Sequence, residues 1–364
     1  MKKFLAVLLT VAMLLSVASF AGAESSMKVA MITDYGDITD QSFNQTTYEA
    51  CKAFCEEAGV DFQYYKPNSD SDTDRISSIE KAIDDGFNVI VMPGYAFAAA
   101  IVGTVEEYSD ITFVALDVSE YDLQAAKGTE ADFSWAYPAN LYSAVYQEEL
   151  CGYMAGYAAV KLGYKKLGFL GGMAVPAVIR YGYGFVQGAN QAAADLGVSD
   201  VTIKYWYSGS FQANDDIKAK MDSWYSDGTE VVFACGGSIC NSCVAAAQAN
   251  NGKMIGVDVD QSPLDACVIT SAMKALSNSV VVCLTDAQGN GWKFTDAYAG
   301  KETTLGAAED CVGLPMETSQ FTTFTQEKYD ELYGKMASGE LVIDNSSDAA
   351  VKPAVTNVTV DYQD

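Results

Sequence analysis

Short apolar runs alternate with amphipathic stretches along almost the whole chain. Residues 28–33 (KVAMIT), 88–92 (NVIVM) and 113–117 (FVALD) are continuously apolar, and 60–65 is rich in strand formers; all four read as strands. Continuous apolarity, rather than alternation, indicates strands covered on both faces. Between them lie helical patterns. Residues 72–85 place Ile76, Ile79 and Ile83 on one face. A helix capped by Asp40 or Thr39 gathers Phe43, Ala50, Cys51, Phe54 and Ala58 on another.

The pattern then restarts. Residues 141–162 read as one long helix, with Gly152 and Gly156 allowing a close neighbour. Strands follow at 166–170, 202–207, 231–235 and 254–257, with helices between them, the first over 178–196. Two successive halves of this kind predict an α/β protein of two doubly wound parallel-sheet lobes joined by a hinge. After Asp265, the run CVITSAM and a helix through 280–298 are expected to return to the first lobe, and the tail after Cys311 to the second. The expected division is 24–139 plus 264–310 for lobe 1, and 140–263 plus 311–364 for lobe 2. Crossovers are expected at 119–139, 261–263 and 306–311.

Composition narrows the setting. Lys2 and Lys3 precede an apolar run over residues 4–20, and Ala21-Gly22-Ala23 offers a cleavage site before Glu24. Residues 1–23 therefore read as an export signal, the run being short for a membrane span. No later stretch reads as long enough to span, so the processed chain is expected to be soluble. The net charge of the 364 residues is −26, which disfavours nucleic acid and anionic lipid as partners. There is no histidine, which removes the commonest general base and transition-metal ligand. The nine cysteines mostly occupy apolar runs and are expected to be buried small hydrophobes, with a Cys240–Cys243 redox pair or a disulfide as the alternative.

Ligands of open parallel sheets bind beyond the carboxyl ends of the strands. The residues there include Asp34, Gly94 and Tyr95, Asp117, Gly171-Gly172-Met173, the stretch from Ser208 to Phe211, Gly236-Gly237 and Asp258. Recurrent carboxylates suit vicinal hydroxyls of a sugar or ribose. Phe43 and Asn44 fall in the first turn of a helix near this edge, where an aromatic ring and an amide can stack on a planar base and read its rim.

Four stretches carry a resemblance. Val29-Ala30-Met31-Ile32-Thr33-Asp34, Asp40-Gln41-Ser42-Phe43-Asn44-Gln45, Gly168-Phe169-Leu170-Gly171-Gly172-Met173 and Ile255-Gly256-Val257-Asp258-Val259-Asp260-Gln261 resemble the basic membrane protein family. Tyr181-x-x-Gly184-Phe185-x-x-Gly188 adds to it. The family includes bacterial purine nucleoside receptors. The resemblance implies a type I periplasmic-binding-protein fold and a solute-binding protein that serves an ABC permease. It further implies that Phe43 and Phe211 sandwich a base, that Asp34, Asn44, Asp117 and Asp258 supply polar contacts, and that Lys274 is the basic residue near the cleft. Most members are lipoproteins. Here the first cysteine is Cys51, so no lipid anchor is expected.

No chemistry-bearing constellation argues for an enzyme. Neither Gly171-Gly172-Met173 nor Gly236-Gly237-Ser238 continues into a phosphate loop, and no nucleophile elbow is present. The expectation is a monomeric binder of a nucleoside without cofactor or metal. A sensor-type binding protein, or a binder of another small polar ligand such as a sugar, is the alternative.

Overall fold

The computed structural model describes residues 27–128 and 136–363. The expected export signal, residues 1–23, lies outside them. Six strands form the first sheet: β1 (Lys28–Ile32), β2 (Asp61–Tyr65), β3 (Val89–Pro93), β4 (Thr112–Leu116), β5 (Leu141–Tyr146) and β11 (Lys301–Leu305). Their order is β11-β5-β4-β3-β1-β2, all parallel. The second sheet holds β6 (Lys166–Gly171), β7 (Val201–Tyr207), β8 (Val231–Cys235), β9 (Lys253–Asp258), β10 (Val268–Lys274), β12 (Val312–Gly313) and β13 (Val358–Gln363). Its order is β12-β10-β9-β8-β6-β7-β13, with only β12 antiparallel.

The alternation of buried residues explains why these strands read as unbroken apolar runs. Val29 and Met31 face one core while Ala30 and Ile32 face another, and all four are fully buried. In the second sheet Val231, Phe233 and Cys235 face one core, Val232 and Ala234 the other. Helices α1 (Phe43–Ala58), α2 (Asp72–Asp84), α3 (Ala98–Thr104), α4 (Glu120–Lys127) and α9 (Leu276–Gly289) cover the first sheet. Helices α5 (Glu148–Lys161), α6 (Pro176–Leu196), α7 (Asp215–Ser226), α8 (Ile239–Asn250) and α10 (Gln326–Ala337) cover the second.

Two elements differ from the sequence reading. Residues 141–146 are strand β5, not the start of a helix; the helix begins at Glu148. Leu-Tyr-Ser-Ala-Val-Tyr is buried at every position, so its pattern has neither a period of two nor one of 3.6 to separate strand from helix. The run at 268–274 does not return to the first lobe. It is β10, paired in parallel with β9. The chain therefore leaves the second sheet after Lys274 rather than at 261–263, and α9 packs on α1 in the first lobe. That helix also ends at Gly289, short of 298.

Close backbone packing joins α5 to α6. A Cβ at Gly156 would run into the Phe185 carbonyl oxygen, and one at Gly188 into that of Tyr153. Only glycine permits this approach, and it sets the first turn of α5 against the second turn of α6, where Arg180 reaches Glu148.

Candidate functional site

Between the two sheets lies a cleft of about 530 Å³. It is lined by Asp34, Phe43, Asn44, Asp117, Phe211, Asp258 and Lys274, the residues singled out from the sequence. Lobe 1 presents Asp34 after β1, Asp117 after β4, and Phe43 and Asn44 at the start of α1. Lobe 2 presents Phe211 after β7, Asp258 at the end of β9 and Lys274 at the end of β10.

Local chemistry fixes the α1 corner. Asp40, not Thr39, caps the helix. Its carboxylate accepts from the backbone N–H groups of Ser42 (2.9 Å), Asn44 (3.0 Å) and Gln45 (3.0 Å), and from Asn44 Nδ2 (3.1 Å). With Nδ2 held by Asp40, Asn44 is left with a buried Oδ1 that has no protein partner. Asp34 Oδ1 accepts from the backbone N–H groups of Tyr35 and Gly36 at 2.6 and 2.7 Å. A Cβ on Gly36 would press on Asn44 Nδ2 at 2.6 Å. Phe211 lies across glycines in the same way. Its ring occupies the space that side chains at Gly172 and Gly236 would need.

Lys274 is the electrostatic centre. Its Nζ donates to Asp117 of the other lobe and to Glu148 Oε1 at 3.3 Å, and stands 3.7 Å from Asp258 Oδ1. The rings of Phe43, Tyr146 and Tyr181 surround it, with centroids at 4.8, 5.1 and 5.6 Å. Arg180 holds the second oxygen of Glu148 at 2.7 Å. Burial pulls the Lys274 pKa down, but Asp117, Glu148 and Asp258 outweigh it and hold the ammonium charged. Burial pushes Glu148 up, yet Arg180 and Lys274 bring it below the usual value. Asp117 is raised to about 7 by burial, against the pull of Lys274. Glu149 is raised to about 7 by burial and by its neighbour Glu148.

Asp117 and Asp258 share an uncommon backbone. Both have left-handed φ, 57° and 66°, which asparagine and aspartate tolerate best among non-glycine residues. Each aims its carboxylate back into the cleft. Asp258 is engaged by protein: Oδ2 accepts from Ser42 Oγ, and Oδ1 from Tyr181 at 3.4 Å. Asp117 keeps a buried, unpartnered Oδ1, as Glu149 keeps an unpartnered Oε2. Acceptors without donors, beside two lobes' aromatic rings, suit a planar ligand that brings hydroxyl or N–H donors.

Tyr146, Glu149 and Arg180 line the cleft without having been expected there. The strand-edge rule would have found Glu149 and Tyr146 had β5 been legible as a strand. Cys235 also lines the cleft, but all nine cysteines are buried and free. Burial pushes the Cys240 and Cys243 thiols up to about 12, away from the thiolate that redox chemistry needs. Among the described residues, no cluster of His, Cys, Asp or Glu is placed to hold a metal ion. No described helix is long and apolar enough to cross a membrane.

Glu149 yields a pH prediction. Its folded pKa of about 7 exceeds the ordinary 4.5, so the folded state binds a proton that the unfolded chain has released. The stability tied to that proton is present at low pH and lost as pH rises through 7. Glu149→Gln lacks this term. Its unfolding free energy relative to wild type, from urea titrations, should be most favourable at pH 8 and fall steadily towards pH 5. A difference that does not change with pH would mean that Glu149 carries no raised pKa in the folded state.

Comparison with known proteins adds the wider context. The sequence profile described as "ABC transporter substrate-binding protein PnrA-like" matches residues 27–347. The chain is 28% identical over 255 residues to "ABC transporter nucleoside-binding protein BmpA" of Lactococcus lactis subsp. cremoris, covering 66% of each chain. It is 27% identical over 334 residues to "Basic membrane protein A" of Borreliella afzelii, covering 90% of this chain and 95% of that one. Among solved structures, an ABC transporter solute-binding protein from Aeropyrum pernix K1 superposes with a TM-score of 0.72 at 21% identity, over 89% of this chain and 95% of that one. One from Conexibacter woesei gives 0.68 at 22% identity, over 88% and 99%. At these identities the structures establish the fold, that of type I periplasmic binding proteins.

Proposed function

Because this chain belongs to the Bmp family of PnrA-like ABC transporter substrate-binding proteins, we propose that its cleft holds a purine nucleoside for delivery to an ABC importer. One observation carries the reading. The cleft sets an aromatic ring from each lobe, Phe43 and Phe211, beside three buried acceptors that lack protein donors: Asn44 Oδ1, Asp117 Oδ1 and Glu149 Oε2. A base takes the rings and the amide; ribose hydroxyls take the carboxylates. The volume of about 530 Å³ is within the range of small-molecule sites. A relative whose name specifies nucleoside binding supports the same ligand class.

A thermal-shift panel of adenosine, guanosine, inosine, uridine, ribose and free purine bases tests this. Ligand at a hundred times its Kd adds about 2.7 kcal/mol of stability. Purine nucleosides should raise the melting temperature most, free bases less, and ribose least. A shift with ribose or a hexose and none with any nucleoside would favour a sugar binder instead.

Export follows from the same reading. On that reading residues 1–23 direct the chain out of the cytoplasm and cleavage follows Ala23. Mass spectrometry of the exported protein should give an N-terminus at Glu24; a different start would contradict it.

A further inference from the structure

Two motifs distinguished in the sequence, Asp40-Gln41-Ser42-Phe43-Asn44 and Gly256-Val257-Asp258-Val259-Asp260-Gln261, meet across the cleft. Gln261 Nε2 donates to the Gln41 carbonyl oxygen at 2.9 Å, and Asp258 accepts from the Ser42 hydroxyl. Gln261 is 2% exposed and is not part of the cleft lining. We propose that Gln261 is the latch of the closed state, a positioning residue that sets how long ligand is retained without touching it.

The donor is prepared within lobe 2. Gln261 Oε1 accepts from the Val257 backbone N–H at 3.1 Å, and the Gln261 backbone N–H donates to Ser271 Oγ at 3.0 Å. These bonds fix the side chain so that Nε2 alone faces the other lobe. The side chain curls against Gly256, where a Cβ would come within 2.6 Å of Oε1. Its rotamer freedom is therefore already spent before closure, and the inter-lobe bond forms with little further ordering cost.

The acceptor is prepared within lobe 1. Gln41 has a left-handed φ of 59°, a strained conformation for a non-glycine residue. Its backbone N–H donates to Gln45 Oε1 at 3.0 Å, which ties the turn to α1. The residues that follow it are Ser42, which reaches Asp258, and then Phe43 and Asn44, which line the cleft. A grip on the Gln41 carbonyl thus holds the corner that carries two ligand-facing side chains. Ligand enters the open cleft, and a bond made only on closure stabilises the closed, ligand-bound form, so a latch outside the cleft is read out in ligand retention.

The inference rests on the binding function proposed above, and the test separates the two. Gln261→Glu keeps the Oε1 acceptor for Val257 but sets a carboxylate oxygen against the Gln41 carbonyl. Small-angle scattering of ligand-free protein should give a larger radius of gyration for the variant than for wild type. Stopped-flow release of guanosine should be about ten- to hundredfold faster, as expected for losing a buried hydrogen bond and stranding its acceptor. Association should change by less than about threefold, since mutants of one site differ mainly in dissociation. Lowering the pH to 5 should return the variant's release rate towards that of wild type at pH 5, because the protonated carboxyl regains a donor. If Gln261→Glu does not fold, Gln261→Met, which removes the donor without adding charge, takes its place. Equal radii and equal release rates would overturn the latch. Wild type that binds no nucleoside would sink the ligand assignment, while the scattering comparison would still decide the latch.

Discussion

Lys274→Met is expected to destabilise the protein by about 3–5 kcal/mol at pH 8, the usual penalty for stranding buried charges by removing their partner. Lys274 Nζ is the common partner of Asp117, Glu148 and Asp258, and its side chain is 2% exposed. Methionine fills much the same volume, so the loss reports charge rather than a cavity. Glu148 retains Arg180, but Asp117 loses the ammonium it is paired with and is left with the more distant Arg180 charge. The sign of the pH dependence follows. Without the ammonium, Asp117 should take up its proton at still higher pH, so the penalty should shrink as pH falls from 8 to 5.5. Urea unfolding at both pH values measures it. A loss below about 1 kcal/mol at pH 8 would mean that the network is solvated rather than desolvated. The same substitution should open the lobes, since the Lys274–Asp117 pair bridges them.

The double substitution Phe43→Ala plus Phe211→Ala should abolish measurable nucleoside binding. Base stacking on an aromatic side chain contributes about 1–3 kcal/mol per ring, or about ten- to hundredfold in affinity. Each single variant should lose that much. The two rings come from opposite lobes, so the double loss should approach the sum, reduced only by whatever coupling the shared ligand transmits. Phe211 also rests on Gly172 and Gly236, which makes a ligand-free melting curve the necessary control. With melting unchanged and binding weakened less than threefold, neither ring would be stacking on a base.

The parallel strands at 28–33, 88–92 and 231–235 were legible because burial on both faces writes an unbroken apolar run. The same cause hid β5. A run buried everywhere has no period, and only its pairing with β4 and β11 makes it a strand. Sheet membership is likewise not local, and β10 offered nothing to say which lobe it joins. Asp34, Asp117, Asp258 and the stretch ending in Phe211 were legible from their place after strands, whereas Lys274, and the stacking role of Phe211, came through resemblance. What no sequence reading could supply is which acceptors stay unsatisfied. Asp258 seemed a free contact, yet Ser42 and Tyr181 occupy it, and the open oxygens belong to Asn44, Asp117 and Glu149. Hydrogen-bond satisfaction is settled by tertiary neighbours, and for Asp258 one comes from each lobe, Ser42 from the first and Tyr181 from the second.

Calorimetric titration of wild-type protein with guanosine, set against ribose, decides whether this cleft holds a purine nucleoside. Guanosine should bind one-to-one with a Kd on the order of a micromolar or tighter, about −8 kcal/mol, and ribose should give no saturable heat. Saturation by ribose or another sugar, with no heat from guanosine, adenosine or inosine, would contradict it.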